Sequence, residues 1–227
     1  MLCGAIMADV TSEFLPAQVG PRRRRTRAEQ RAELRQRLLV AVERLLVEQS
    51  FPEITIDQIL AEADVSRSTF YANFSDKASL LLALANDFIE GSLEVAAPWW
   101  EIGPGATREQ LEGALGAIFD MYLEHKVVQG AISDAAGYEP SIKKQVVDLQ
   151  NDAITKLTEH IKRGQANGFI DKRLAPAETA GWLVWMIERG LYTMASSGGT
   201  AKIARLLMSL TDIIWKTLYE ATEALPP

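Results

Sequence analysis

The feature of this sequence that most constrains its fold is a helical hydrophobic periodicity that extends along almost the whole chain of 227 residues. Apolar side chains return every three or four residues, as they do on one face of an amphipathic helix. The first such stripe consists of Leu34, Leu38, Ala41 and Leu45. The alternation that indicates β-strands is rare, and 48% apolar residues are ample for a buried core. The sequence therefore predicts an all-α fold of about nine helices.

Capping signals predict where several of these helices begin. Thr55 and Gln58 have the spacing of a capping box, in which two side chains satisfy each other's backbone N–H groups. The same spacing recurs at Thr107 and Gln110, and Pro140 suits the first position of a helix. The helices are expected near residues 27–49, 56–63, 66–74, 76–98, 107–122, 140–168, 176–196 and 200–223.

The composition excludes several classes of protein. A single cysteine, Cys3, cannot form an intramolecular disulfide, and the two isolated histidines lack the spacing of a zinc site. No apolar run reaches the roughly 18 residues of a membrane span, and the first residues lack the basic region of a signal peptide. We therefore expect a cytoplasmic protein with no metal, no cofactor and no membrane association.

The net charge of -6 conceals a strong gradient along the chain. Residues 20–50 carry nine Arg against four Glu, whereas residues 51–227 carry 15 Lys or Arg against 24 Asp or Glu. Such asymmetry suggests a basic arm on an acidic protein. The arginine run that includes Arg23, Arg24 and Arg25 is therefore either a solvated tail or an arm that contacts nucleic acid.

The stretch "VSRSTFYANFSDK", residues 65–77, indicates a helix-turn-helix. Ser66 is suited to begin one short helix, and Ser75 and Asp76 begin the next. Asp64 fits the tight turn before Ser66, because its short side chain tolerates unusual backbone angles. The helix after Ser66 would be the recognition helix, packed on the longer first helix.

The recognition helix would turn a small, polar face outward. Phe70 and Phe74, four residues apart, would face the core, which places Ser68 and Ala72 on the opposite side. Side chains on or beside this face could then contact a DNA duplex. Arg67 could reach guanine, while Thr69, Tyr71, Asn73 and Lys77 could contact phosphates. The alternative is that Tyr71 packs half-buried and that Arg67 and Lys77 are ordinary solvated charges.

Residues 28–90, and above all "ITIDQILAEADVSRSTFYANFSDKASLLLAL", resemble the DNA-binding region of the tetracycline-repressor (TetR) family. This resemblance implies phosphate contacts by Thr55, Thr69, Tyr71 and Lys77. It also places Arg67, Ser68 and Ala72 at base-reading positions, just after Ser66. The resemblance also favours the interpretation of the arginine run as an arm that would enter the neighbouring minor groove. The sequence departs from the family at Asp57, Asp64 and Asn73, and Asp57 stands where a cation often helps to bind DNA.

The resemblance also implies a domain organisation and partners. Residues 1–25 would form a disordered basic arm, residues 26–75 the DNA-binding domain, and residues 76–227 a ligand-binding and dimerisation domain. Members of the family generally repress transcription as homodimers on a palindromic double-stranded operator. The last two predicted helices are apolar on more than one face, so a homodimer through them is expected. The alternative is that both helices lie deep in a monomer core.

Aromatic and thioether side chains of the C-terminal region supply material for an apolar ligand site. The predicted lining consists of Trp100, Phe119, Tyr122, Trp182, Trp185, Met186 and Ile187. The stretches "FDMYLEHKVVQG" and "AETAGWLVWMIERGLY" are also similar to the actinobacterial repressors of the ethionamide-activating enzyme. Those repressors offer asparagines to their ligand where this chain has Val184 and Ile187. We therefore expect an elongated hydrophobic effector, with Glu188 paired with a cation, exposed at an edge or contacting the ligand.

Two other functions compete with this interpretation. An enzyme is disfavoured because no catalytic triad, metal spacing or glycine-rich phosphate loop occurs in the sequence. A helical carrier of apolar small molecules, without specific DNA binding, would need the tryptophan-rich region but not Arg67, Tyr71 and Lys77. The sequence therefore predicts a DNA-binding transcriptional regulator, in particular a repressor that a hydrophobic ligand releases.

Overall fold

A computed structural model describes residues 26–195 and 199–220, and over these ranges the chain forms nine α-helices and no strand. The predicted all-α fold is confirmed. The helices are α1 (Arg27–Leu46), α2 (Ile56–Ala63), α3 (Arg67–Tyr71), α4 (Lys77–Trp100), α5 (Arg108–Glu124), α6 (Lys126–Ala135), α7 (Pro140–Asn167), α8 (Pro176–Gly190) and α9 (Thr200–Leu218). None of these helices has the length and apolar character that a membrane span requires.

A first hydrophobic core joins the helix-turn-helix to later parts of the chain. It contains the buried faces of α1, α2 and α3 together with the first half of α4. It also contains side chains from α6 and from the first turn of α7, so that residues far apart in sequence support the recognition helix. Its most deeply buried members include Leu38, Val42, Ile59, Phe70, Leu80, Leu81, Val128 and Ile142.

A second core lies at the other end of α4, among α5, α7, α8 and α9. Its buried side chains include Trp99, Leu111, Leu115, Leu157, Ile161, Leu183 and Ile214. A smaller cluster of Phe119, Tyr122, Leu191 and Ala195 lies beside it. Helices α4 and α7 therefore both reach from the first core, beneath the recognition helix, to the second core.

Several helix boundaries differ from the predicted ones. Helix α3 ends at Tyr71, because the N–H groups of Asn73 and Phe74 both return to the Phe70 carbonyl and turn the chain toward α4. Helix α4 continues through Pro98 to Trp100. Helix α8 ends at Gly190 and continues as one π-helical turn, Leu191–Ala195. Helix α6, between residues 122 and 140, was not predicted.

Candidate functional site

Local hydrogen bonds build the helix-turn-helix. The Thr55 side chain caps α2 in a reciprocal capping box with Gln58. Asp64 ends α2 in the left-handed conformation, at φ 50° and ψ 54°, so that aspartate takes the turn position that usually favours glycine. Ser66 then begins α3, and its hydroxyl accepts a hydrogen bond from the Thr69 N–H at 3.1 Å. Polar side chains within the segment itself therefore provide the local hydrogen bonds of this turn.

Arginines of α1 hold the helix-turn-helix in place. The Arg37 guanidinium donates to the carbonyls of Ala63 and Asp64, the second at 2.8 Å, and so clamps the turn between α2 and α3. Arg31 donates to the Ala72 carbonyl at 3.2 Å, at the end of α3. Part of the N-terminal positive charge therefore orients the recognition helix, a role that the sequence pattern alone did not reveal.

The outer face of α3 is exposed and polar. Phe70 and Phe74 are buried in the first core, as their spacing predicted. Tyr71 is 49% exposed, and its ring makes an edge-to-face contact with Phe70 at 5.3 Å between centroids, so that the rest of the ring remains accessible. The structure brings together Ser66, Arg67, Ser68, Tyr71 and Ala72 as exposed residues around this helix, with Thr69 half-buried beside them.

Several of the predicted DNA contacts already form hydrogen bonds or ion pairs within the protein. The Arg67 guanidinium forms an ion pair with Asp57, in the first turn of α2. Asn73 donates to the Thr69 carbonyl at 2.8 Å and accepts from Arg31. Arg23, Arg24 and Arg25 lie outside the described residues. The predicted roles of these side chains toward DNA remain predictions.

The Lys77 ammonium is engaged most completely. It donates to the carbonyls of Phe51, Pro52 and Ile54, at 2.9, 3.0 and 2.8 Å, and lies 4.7 Å from the centre of the Phe51 ring. An ammonium has three N–H groups, and all three are used here. Desolvation by burial lowers the pKa of Lys77. The geometry therefore gives Lys77 a structural role, and its predicted phosphate contact would require one of these hydrogen bonds to open.

A shallow depression adjoins the outer face of α3. It lies between α1 and α3 and is lined in part by Arg27, Arg31, Ser68 and Thr69. The sequence-based list of DNA contacts omitted Arg27 and Arg31. Their spacing of four residues on α1, which places both on one face, was the available signal. Two cations beside hydroxyl groups suit a phosphate of a duplex that lies across α3.

A partly open cavity of about 170 Å³ lies between α4, α5, α6, α7 and α8. Helix α8 presents Val184, Ile187, Glu188 and Leu191 to it. These positions follow the three- and four-residue spacing of a single helix face. The other lining residues are Phe88, Ser92, Leu93, Ala96, Trp99, Trp100, Ile118, Gln129, Leu149, Gln150 and Ala153.

Only two of the seven predicted ligand contacts, Trp100 and Ile187, line this cavity. Trp182 and Trp185 lie on another face of α8, are 79% and 48% exposed, and line a separate depression, so their predicted ligand contacts remain predictions. The other three predicted residues also lie away from it: Phe119 and Tyr122 in the small cluster, and Met186 in depressions toward α9. Val184 and Ile187 line the cavity and make its wall on α8 apolar, as the sequence predicted.

A buried polar network adjoins the cavity. The Trp99 N–H donates to the Tyr219 hydroxyl at 3.1 Å, and Tyr219 lies 2.7 Å from His160 Nε2. His160 Nδ1 lies 3.0 Å from the Trp100 carbonyl, which can only accept a hydrogen bond. Neutral His160 therefore carries its proton on Nδ1 and accepts from the Tyr219 hydroxyl. Burial, and secondarily the Arg163 charge, lowers the pKa of His160 to about 4.

Among the described residues, no group of three or more His, Cys, Asp or Glu side chains is arranged to hold a metal ion. The two features that can contact other molecules are thus the exposed recognition helix and the cavity. An exposed helix-turn-helix on a helical body with a partly open apolar cavity defines the class of protein, a helix-turn-helix transcriptional regulator.

Comparisons with known proteins agree with this class. The family described as bacterial regulatory proteins, tetR family, matches residues 38–84. The regulator EthR of Mycobacterium tuberculosis is 26% identical over 202 residues, which cover 88% of this chain and 93% of EthR. The Mycolicibacterium smegmatis EthR is 23% identical over 183 residues, covering 80% of this chain and 84% of that protein.

Solved structures show the same fold. Salmonella enterica GusR superposes with a TM-score of 0.68 at 18% identity, covering 82% of this chain and 95% of GusR. The TetR-family regulator PfmR of Thermus thermophilus superposes with a TM-score of 0.64 at 14% identity, covering 80% of this chain and 98% of PfmR. Together the comparisons support a TetR-family transcriptional regulator that is weakly related to EthR. TetR-family regulators bind DNA operators and function as dimers.

Proposed function

We propose that this protein is a repressor that binds a palindromic operator as a homodimer and leaves it when an apolar small molecule enters the cavity. The observation that carries this proposal is the course of α4. The N-terminal half of this 24-residue helix contributes Leu80 and Leu84 to the core beneath the recognition helix. Its C-terminal end contributes Trp99 and Trp100 to the cavity. A shift of the cavity wall therefore has a direct route to the DNA-binding end.

Helix α6 provides a second connection between the two sites. Its Val128 is buried in the first core, while the neighbouring Gln129 lines the cavity. Packed interiors transmit displacement, because they contain little free volume to absorb it. Entry of a ligand would move α4 and α6 together and tilt α3. The two recognition helices of a dimer must match half-sites about 34 Å apart, so a modest tilt would end simultaneous docking.

The exposed faces of α8 and α9 support a homodimer through these helices. Trp182, Trp185, Met208 and Ile213 are large apolar side chains that the single chain leaves exposed. Apolar side chains clustered on a surface are typical of protein interfaces. Arg67, Ser68 and Ala72 of each subunit would then read bases. Thr55, Ser66, Thr69, Tyr71 and Asn73 would hold the phosphate backbone.

Mobility shift with DNA from the region flanking the protein's own gene tests sequence-specific binding. We expect a salt-sensitive shift that exceeds the shift of scrambled DNA, and Arg67→Ala should reduce the specific affinity by about 1 to 3 kcal/mol. Lys162→Ala is the control, because it removes one positive charge from an exposed position on α7. A shift that does not depend on sequence would favour the alternative, a carrier of apolar molecules.

Deletion of residues 1–25 tests the proposed arm. Without Arg23, Arg24 and Arg25, binding to every DNA sequence should be weaker. The dependence of log affinity on log salt should also fall, by about 0.9 for each phosphate that the arm neutralises in the full-length protein. An unchanged salt dependence would identify the arginine run as a solvated tail.

A cavity-filling substitution tests the effector role. Ala153→Trp places an indole in the cavity from α7, so any small molecule carried through purification should disappear from native mass spectra. Compounds that release the wild-type protein from DNA should no longer do so. Ala166→Trp, at an exposed position on the same helix, should behave as wild type. Full release of Ala153→Trp by the same compounds would place the effector elsewhere.

A further inference from the structure

Glu188 is an acidic side chain in an otherwise largely apolar cavity. It lies on the face of α8 that carries Val184, Ile187 and Leu191, all of which line the same space. Among the described residues it forms neither a hydrogen bond nor an ion pair. Of the three roles considered from the sequence, a ligand contact is thus the one that this position supports. Glu188 is half-buried, and a carboxylate that loses part of its hydration without a hydrogen-bond partner is destabilised.

Burial raises the pKa of Glu188, and the charge of one neighbouring cation, Arg189, lowers it to a smaller extent, but the two side chains form no ion pair. Arg189, the next residue, lies over the Tyr192 ring at 5.4 Å from its centre. On α7, Lys156 lies over the Trp100 ring at 5.5 Å, and Arg163 donates to the Trp100 carbonyl. No Lys, Arg or His occurs among the described residues that line the cavity. The cavity therefore contains a negative group without a matching positive one.

A second acceptor in the same cavity also lacks a partner. Oε1 of Gln129, on α6, is buried and accepts no hydrogen bond from the described residues. An unsatisfied buried acceptor costs about 1 to 3 kcal/mol, which a donor on a ligand would recover. Trp99 and Trp100 contribute aromatic rings to the same lining, and aromatic rings attract cations. The remaining lining is mainly aliphatic and suits a hydrocarbon chain.

We propose that the cavity binds a small amphipathic cation, in particular a protonated primary amine on an aliphatic or aromatic body. Its ammonium would donate to Glu188 and to Gln129 Oε1, while its apolar body would lie against Trp100, Ile118 and Ile187. This inference rests on the proposed function, in which the cavity is the effector site. It differs from the elongated hydrophobic effector expected from the sequence, which would be held mostly by burial, and it disfavours fatty acids because Glu188 would repel their carboxylates.

Three probes with the same eight-carbon chain distinguish recognition of the charged head group from burial of the hydrocarbon chain. They are 1-aminooctane, which is protonated at pH 7.5, the neutral 1-octanol and the anionic octanoate. Isothermal titration calorimetry of the full-length protein with each probe should give an affinity for 1-aminooctane about tenfold or more above that for 1-octanol. Octanoate should bind most weakly.

Substitutions in α8 test whether Glu188 is the group that gives the preference for the amine. Glu188→Gln keeps the shape of the side chain and removes its charge, so it should lower the affinity for 1-aminooctane about tenfold and leave that for 1-octanol unchanged. Glu178→Gln removes an exposed carboxylate from the first turn of the same helix and should change neither.

Each outcome decides the inference. Equal affinities for 1-aminooctane and 1-octanol, or an unchanged affinity of Glu188→Gln for the amine, would overturn the recognition of a cation while the cavity remains an apolar effector site. Absence of binding by all three probes would overturn the inference and the assignment of the cavity as the effector site. Neither result would alter the test of operator binding by mobility shift.

Discussion

Arg67, at the start of the recognition helix, forms an ion pair with Asp57 in the first turn of α2. Both side chains remain accessible, at 56% and 77% exposure, so solvent screens the pair and its contribution to stability is small. Its consequence is geometric. Asp57 restricts the directions in which the Arg67 guanidinium can point, and a fixed guanidinium loses less conformational entropy when it binds a base.

Replacement of Asp57 by asparagine should therefore affect discrimination between DNA sequences. We expect Asp57→Asn to reduce the ratio of specific to non-specific affinity about fivefold, or roughly 1 kcal/mol. Non-specific affinity should rise, because a negative charge near the duplex is removed. Fluorescence anisotropy with operator and scrambled duplexes measures both quantities. Glu62 lies on α2 with Asp57 and forms an ion pair with Arg44 of α1, so Glu62→Gln, which breaks that pair, serves as the control. An unchanged ratio in Asp57→Asn would contradict the positioning role.

Lys77 should matter for stability even without DNA. Lys77→Met keeps the aliphatic stem but removes the donor shared by three carbonyls of the segment between α1 and α2. We expect the free energy of unfolding to fall by about 2 kcal/mol, measured by urea denaturation. Lys144→Met, which breaks an exposed pair with Asp148 within α7, should change it by less than about 0.5 kcal/mol. Unchanged stability with weakened DNA binding would instead support the phosphate contact.

The parts of the fold that the sequence predicted well depend on local chemistry. Thr55 and Gln58 cap α2 because both partners lie within one helical turn, and Asp64 adopts its left-handed backbone through its own short side chain. Phe70 and Phe74 were placed in the core by their spacing alone. In contrast, the partners of Lys77 lie 23 to 26 residues earlier in the chain, so no local pattern indicates them.

The cavity was predicted less well for a related reason. Size and apolarity selected Trp182 and Trp185, but the face of α8 that points inward is set by the packing of α7 against it. That face carries Val184, Ile187 and Glu188 instead. When a helix is apolar on two faces, its sequence does not show which face meets the protein's own core.

Trp182 should contribute to self-association rather than to folding of the single chain. Trp182→Glu places a charge on the exposed face of α8, so we expect it to convert a dimer to a monomer in sedimentation velocity while the helical circular dichroism is retained. Tyr138→Glu is the matched control, because Tyr138 is an exposed aromatic side chain, at 54%, between α6 and α7. If Trp182→Glu sediments as a dimer, the interface lies elsewhere.

His160 makes the stability of the C-terminal domain depend on pH. Its pKa is about 4 in the folded chain, against an ordinary value of 6.5, mainly because the imidazole is buried. Between these values the unfolded chain binds a proton that the folded chain does not. The contribution of His160 to stability is therefore fully present above pH 6.5 and decreases as the pH falls below 6.5. Below pH 4 this contribution no longer changes with pH.

Urea denaturation at pH 7.5 and pH 5.0 measures this effect. The His160 contribution should lower the free energy of unfolding by about 2 kcal/mol at pH 5.0. His160→Gln retains a polar group beside Tyr219 but does not titrate, so it should lose about that much of the pH dependence. Trp99→Phe removes one donor to the Tyr219 hydroxyl, leaves His160 in place and should keep the dependence. Equal pH dependence in wild type and His160→Gln would show that His160 titrates alike in the folded and unfolded chains.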